Sequence, residues 1–109
     1  MEFVRTSSYA RGLKRLRKLG AVEADFDEME RAIAANPEAG DLIRGSGGLR
    51  KLRFAYGGAG KRGGGRTLYY VVTEDDVVYL LAAYAKVDKD DLAPGEVRLF
   101  KALIKELMG

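Results

Sequence analysis

The stretch RFAYGGAGKRGGGRTLYYV, running from Arg53 to Val71, carries Lys61 and Arg62 inside a glycine-rich segment, with Arg66 just beyond it and Lys51 just before it. Ammonium and guanidinium groups gathered in this way hold phosphate, the planar guanidinium in bidentate fashion and the ammonium as a point charge. The glycines tolerate backbone conformations closed to other residues, so the segment can turn tightly or approach a ligand. A nucleotide-binding P-loop is excluded. That motif needs a glycine, four residues and then Gly-Lys-Ser/Thr opening a helix, whereas Gly60-Lys61 is followed by Arg62, position 55 is alanine, and the next element reads as a strand. A hairpin connection remains, and it brings Lys51, Arg53, Lys61, Arg62 and Arg66 close together. Five neighbouring like charges repel one another unless a polyanion is expected.

The net charge of +3 hides this asymmetry: seven cations and no acid lie between Leu42 and Val72, which leaves −4 on the rest of the chain. A second basic block, Arg5, Arg11, Lys14, Arg15, Arg17 and Lys18, precedes an acidic run of Glu23, Asp25, Asp27, Glu28 and Glu30. That block reads first as the solvated face of a helix. With neither histidine nor cysteine present, the usual neutral-pH proton carrier, the commonest transition-metal ligand, thiolate sites and disulfides are all missing, and no cofactor or metal is implied. At 109 residues and 47% hydrophobic content, the expectation is one domain spanning 1–109. The N-terminus has no continuous apolar core of a signal peptide, and no stretch reaches the roughly 20 apolar residues of a membrane span, so a cytoplasmic protein is expected.

The elements that must position these cations follow from periodicity. EFVR is a short first strand. Tyr9, Leu13 and Leu16 recur at helical spacing from Ser7 to Leu19, with Gly20 as a stop, and Phe26, Met29 and Ile33 mark a second helix that Asn36-Pro37 ends. Asp25 with Glu28 reads as the capping box of that helix. The period then falls to 2: LRKLRFA sets Leu49, Lys51, Arg53 and Ala55 on one face and Arg50, Leu52 and Phe54 on the other. RTLYYVV and VVYLLAAY, separated by TEDD, are two further strands of a meander. A last helix carries Val97, Phe100, Ile104 and Leu107 along one side. Ala93 is a poor cap before Pro94, which moves the expected start back to Asp90 or Asp91. The result is an α+β domain: two N-terminal helices, an antiparallel meander with helices on one face, and a C-terminal helix, the other face being left for function.

Three segments, SGGLRKLRFA, GKRGGGRTLYYV and YLLAAYAKVDKDDLAP, resemble in order and spacing the RelE superfamily of toxin–antitoxin toxins, most closely its HigB-like branch, over about residue 36 to the C-terminus. The resemblance implies a RelE-like fold and a toxin that enters the ribosomal A site, cleaves mRNA and is held inactive by a cognate antitoxin. It also implies site roles. Lys51 and Arg53 match the family's basic pair on the strand before the loop, Arg66 the arginine that contacts the scissile phosphate, and Lys86 a further basic residue. The C-terminal APGEVRLFKALIKELMG has neither the tyrosine nor the histidine that several relatives place there.

Metal-independent RNA cleavage asks three things: a proton must leave the 2′-hydroxyl, charge on the phosphoryl oxygens must be stabilised, and the 5′-oxygen must gain a proton. Arginine suits the second role, assigned to Arg66 and Arg53. For proton transfer the chain offers lysine and tyrosine, and Lys51 or Lys86 is expected as base because neighbouring cations disfavour a lysine's protonated form. Arg50, Lys61 and Arg62 are expected on the RNA backbone. Among Tyr56, Tyr69, Tyr70 and Tyr84, the last is expected as the exposed ring that stacks on a base. Asp88, Asp90 and Asp91 read as loop solvation and capping. The competing readings are a ParE-like toxin that binds gyrase and a non-enzymatic RNA- or ribosome-binding module.

Overall fold

The structure, a computed structural model, describes residues 1–58, 63–89 and 91–109. Its elements are β1 (Glu2–Arg5), α1 (Ser7–Lys18), α2 (Glu23–Ala35), β2 (Asp41–Leu42), β3 (Arg50–Phe54), β4 (Gly65–Val72), β5 (Val77–Ala85) and α3 (Pro94–Leu107). The sheet order is β1-β5-β4-β3-β2. Strands β3, β4 and β5 form the expected antiparallel meander, while β1 lies parallel to β5, so the sheet is mixed rather than wholly antiparallel. The parallel edge arises because the chain leaves β1 straight into α1, whose cap, Thr6, is itself tied to the Leu80 carbonyl at 2.9 Å through its hydroxyl.

Local chemistry explains the helix ends. Thr6 Oγ1 accepts from the Tyr9 N–H at 3.3 Å, and Gly20, at φ +109°, takes the left-handed conformation that stops α1. Helix α2 starts three residues earlier than its acidic pair suggested. Val22 is the flanking residue, and Asp25, one turn in, reaches back to accept from the Val22 N–H at 2.9 Å. Likewise α3 starts at Pro94 and not at Asp90 or Asp91, because Glu96 accepts from the Ala93 N–H at 3.0 Å and makes good the missing side-chain cap.

One face of the sheet carries Phe54, Tyr69, Val78, Leu80, Ala83 and Ala85, buried against Tyr9, Leu13 and Leu16 of α1 and Phe26, Met29 and Ile33 of α2. Helix α1 lies flat on β5: a Cβ added at Gly12 would sit 1.9 Å from the Ala83 carbonyl oxygen. The expectation of all helices on one face needs correction. Leu49, Leu81 and Ile104 form a second cluster with Tyr70, Tyr79, Phe100 and Leu103, so α3 packs on the opposite face. The cause is a bulge. Leu68 pairs with Ala82 and Tyr69 with Leu80, which leaves Leu81 as the extra residue on β5. The inserted residue reverses the alternation, so Val78 and Leu80 before it, and Ala83 and Ala85 after it, all face α1 and α2. Among the described residues no helix is long and apolar enough to cross a membrane.

Candidate functional site

The register across the meander assembles the site. Arg53 of β3 stands directly opposite Arg66 of β4, and Arg66 directly opposite Tyr84 of β5, so the three side chains form one row on the α3 side of the sheet. The row before it contains Lys51, Leu68 and Ala82. Because β3 alternates without interruption, Lys51 and Arg53 share a face with Leu49, as the period of 2 foretold. Like charges directly opposite one another destabilise a sheet. Here Arg66 folds back, its Nη1 donating to the carbonyls of Gly63 and, at 2.9 Å, Gly65. It is 6% exposed, whereas Arg53 is exposed and makes no hydrogen bond or ion pair among the described residues.

The connection from β5 to α3 closes over this row. Lys51 Nζ lies 3.2 Å from Asp91 Oδ1, and the Lys89 ammonium sits 5.0 Å above the centre of the Tyr84 ring while pairing with Glu96. Asp88 is held by Arg15 of α1 through bonds of 3.0 and 2.9 Å. These contacts leave their mark on the acids. The Leu92 N–H, then Lys51, holds the Asp91 carboxyl below its ordinary value; Lys89, then the Ala93 N–H, does the same for Glu96, and Arg15 for Asp88. Asp88 and Asp91 are thus exposed loop acids that also serve as ion-pair partners; Asp90 lies outside the described residues.

The remaining expected site residues are distributed as follows. Lys86 is exposed, without an ion pair among the described residues, and its backbone N–H donates to the Gly64 carbonyl at 2.8 Å, which places it beside the strand that carries Arg66. Lys61 and Arg62 lie outside the described residues. Arg50 is not brought to the row. It is paired with Tyr69 on the opposite face, and its Nη1 donates to the Gly40 and Glu38 carbonyls at 2.8 and 3.3 Å. Tyr84 is not an exposed stacking ring: it is 8% exposed, because the bulge turns it beneath the β5–α3 connection. Tyr56 and Tyr69 are buried in the helix-side core and Tyr70 packs against α3.

Two contributors escaped the reading of the sequence. Asp91 neutralises Lys51 from 40 residues away, a contact with no local signal. Asp25 Oδ2 accepts from the Gly57 N–H at 3.1 Å as well as from Val22, so the first turn of α2 anchors the root of the glycine segment. The acidic residue itself was visible in the sequence; its second partner was not.

A mixed five-stranded sheet with α1 and α2 on one face and a row of arginines beside α3 on the other defines a small α+β protein with a cationic sheet face. The chain belongs to the RelE toxin family: the family model described as "RelE toxin of RelE / RelB toxin-antitoxin system" matches residues 13–109. Its fold is similar to that of E. coli toxin RelE, solved in the free state as an arginine-to-alanine double mutant, with a TM-score of 0.52, 21% sequence identity, and coverage of 82% of this chain and 86% of that one. At that identity the likeness speaks for the fold alone.

Proposed function

We propose that this protein, a family toxin of a toxin–antitoxin system, is a ribosome-dependent endoribonuclease of the HigB-like branch. It cleaves mRNA in the A site through attack of the 2′-hydroxyl on the adjacent phosphorus, stops translation, and is neutralised in the cytoplasm by a cognate antitoxin. The observation that carries this reading is the direct cross-strand pairing of Arg53 with Arg66, with Lys51 on the same face. A fold places two guanidinium groups opposite each other only at a cost, and a phosphodiester bound between them removes it. In this reading Arg53 and Arg66 stabilise the charge that develops on the phosphoryl oxygens, Arg66 turning away from the Gly63 and Gly65 carbonyls to do so. Lys51 holds a phosphate oxygen once it leaves Asp91. Lys86, or Lys51 in place of that phosphate contact, takes the proton from the 2′-hydroxyl in its neutral form; the bond from phosphorus to the 5′-oxygen breaks, that oxygen takes a proton from the other lysine's ammonium, and holding the attacking and leaving oxygens in line supplies several kcal/mol more. Lys61 and Arg62 complete the grip on the backbone.

Primer-extension mapping on translating ribosomes tests the reading. Cuts within the A-site codon are expected from the wild-type chain and are lost in Arg66→Ala and Arg53→Ala. Translation arrest without cuts would replace the nuclease by a binding module, and blocked gyrase supercoiling would replace it by a ParE-like activity.

A further inference from the structure

Pairing divides the cations of this chain into two groups, and the division differs from the one the sequence suggested. In the N-terminal basic block, Arg5 bonds Glu30 at 3.1 Å, Arg15 bonds Asp88 and Arg17 bonds Glu23 at 2.6 Å, so half of its six cations are paired within the fold, while Arg11, Lys14 and Lys18 are exposed without an ion pair among the described residues and line no cleft beside the arginine row. On α3, by contrast, Arg98, Lys101 and Lys105 are all exposed and make no ion pair among the described residues. Their spacing of three and four residues puts them on one side of the helix, and at 1.5 Å per residue they span about 10 Å.

The fold adds Arg44 to this stripe. One cavity between the β2–β3 loop and α3 is lined by Arg44 and Arg98 together with Asp91, and the next along the helix by Ser46, Gly47 and Tyr70 with Lys101 and Lys105. A Cβ at Gly47 would lie 3.8 Å from Lys101 Cε, so the loop and the lysine are neighbours. Among the described residues Asp91 is the only acid lining either cavity, and it is committed to Lys51. Four unneutralised cations beside two solvent-open clefts, continuous with Lys51 through Asp91, complement an extended anion.

We propose that Arg44, Arg98, Lys101 and Lys105 form a second RNA-contact track, which holds the backbone of the strand flanking the cleaved phosphodiester. This rests on the nuclease reading for its direction, since the strand passes from the Arg53–Arg66 row past Lys51 onto α3. The occupant is RNA rather than an acidic protein segment because the unneutralised cations run on from Lys51 past Asp91 along the helix, the path of a strand leaving the arginine row; Leu99 of α3 is exposed as well, so a protein segment is the outcome that the antitoxin arm of the test detects.

The test measures fluorescence anisotropy of two 2′-O-methyl RNAs, a hexanucleotide and a tetradecanucleotide, over a range of potassium chloride. The triple variant Arg98→Gln, Lys101→Gln, Lys105→Gln is expected to weaken the longer probe several-fold and to lower its slope of log affinity against log salt by about 2, at about 0.7 per phosphate contact on a single strand. The hexanucleotide is expected to bind as before. A charge-conserving double variant, Arg98→Lys with Lys105→Arg and Lys101 left in place, is expected to keep wild-type binding of both probes. An unchanged slope, an equal loss for both lengths, or intact RNA binding with loss of antitoxin binding would overturn the proposal. If Arg53→Ala leaves both probes unaffected while the α3 variant lowers the slope, the track stands and the reading of the arginine row falls.

Discussion

Asp91→Asn should tighten RNA binding, and the structure sets how much. The Lys51 ammonium is 3.2 Å from the Asp91 carboxylate, with the lysine side chain 22% and the aspartate 74% exposed. Two unit charges at that separation of 3.2 Å attract by about 1.3 kcal/mol in bulk water. Side-chain ordering and salt screening reduce exposed pairs of this kind to about 0.2–1 kcal/mol, and a phosphate that takes Lys51 must first overcome that amount. Removing the carboxylate should therefore raise affinity for an uncleavable RNA by about 1.4- to 5-fold, at 1.4 kcal/mol per factor of ten. The assay is a double-mutant cycle in low salt, with Asp91→Asn measured in the wild-type and in the Lys51→Ala backgrounds. The gain should vanish in the second background and shrink as ionic strength rises. An equal gain in both backgrounds would mean that Asp91 acts only through net charge, and the argument from the pair would fail.

Gly12→Ala should destabilise the fold by about 1–3 kcal/mol, since overpacking outweighs the better helix propensity; the new methyl would meet the Ala83 carbonyl at 1.9 Å, and chemical denaturation reads the loss. Tyr69→Phe should cost about 1–3 kcal/mol, because its hydroxyl donates to the Pro37 carbonyl at 2.7 Å and accepts from the Gly40 N–H at 2.8 Å; hydrogen exchange at Gly40 should quicken accordingly. Stability should fall at alkaline pH. Burial, helped by the bond its hydroxyl donates to Glu30 at 2.8 Å, raises the Tyr9 phenol above its ordinary 10.0, so its contribution is complete below pH 10 and declines above it as the unfolded chain ionises first. Thermal melts from pH 8 to 11 should show a shallower decline for Tyr9→Phe.

The local elements were legible because they depend on near neighbours. Tyr9, Leu13 and Leu16 and then Phe26, Met29 and Ile33 announced two helices whose buried residues they are. The alternation in LRKLRFA put Lys51 and Arg53 on one face, which the register bears out, and the three quoted segments pointed to the family that the match over residues 13–109 establishes. What the residues could not reveal was set by pairing between distant segments. Nothing in VVYLLAAY marks Leu81 as a bulge, yet that one residue turns Tyr84 to the arginine row, hides its ring, and turns Leu81 toward α3. Arg50 carries the same charge as Lys51 but faces the other way, to the carbonyls of Glu38 and Gly40. Charge type and period are properties of the chain itself, and they determined which residues can bind phosphate. Register and ion pairing are free-energy balances between strands and helices far apart in sequence, and only the folded molecule decided which of those cations stand together and which are already neutralised.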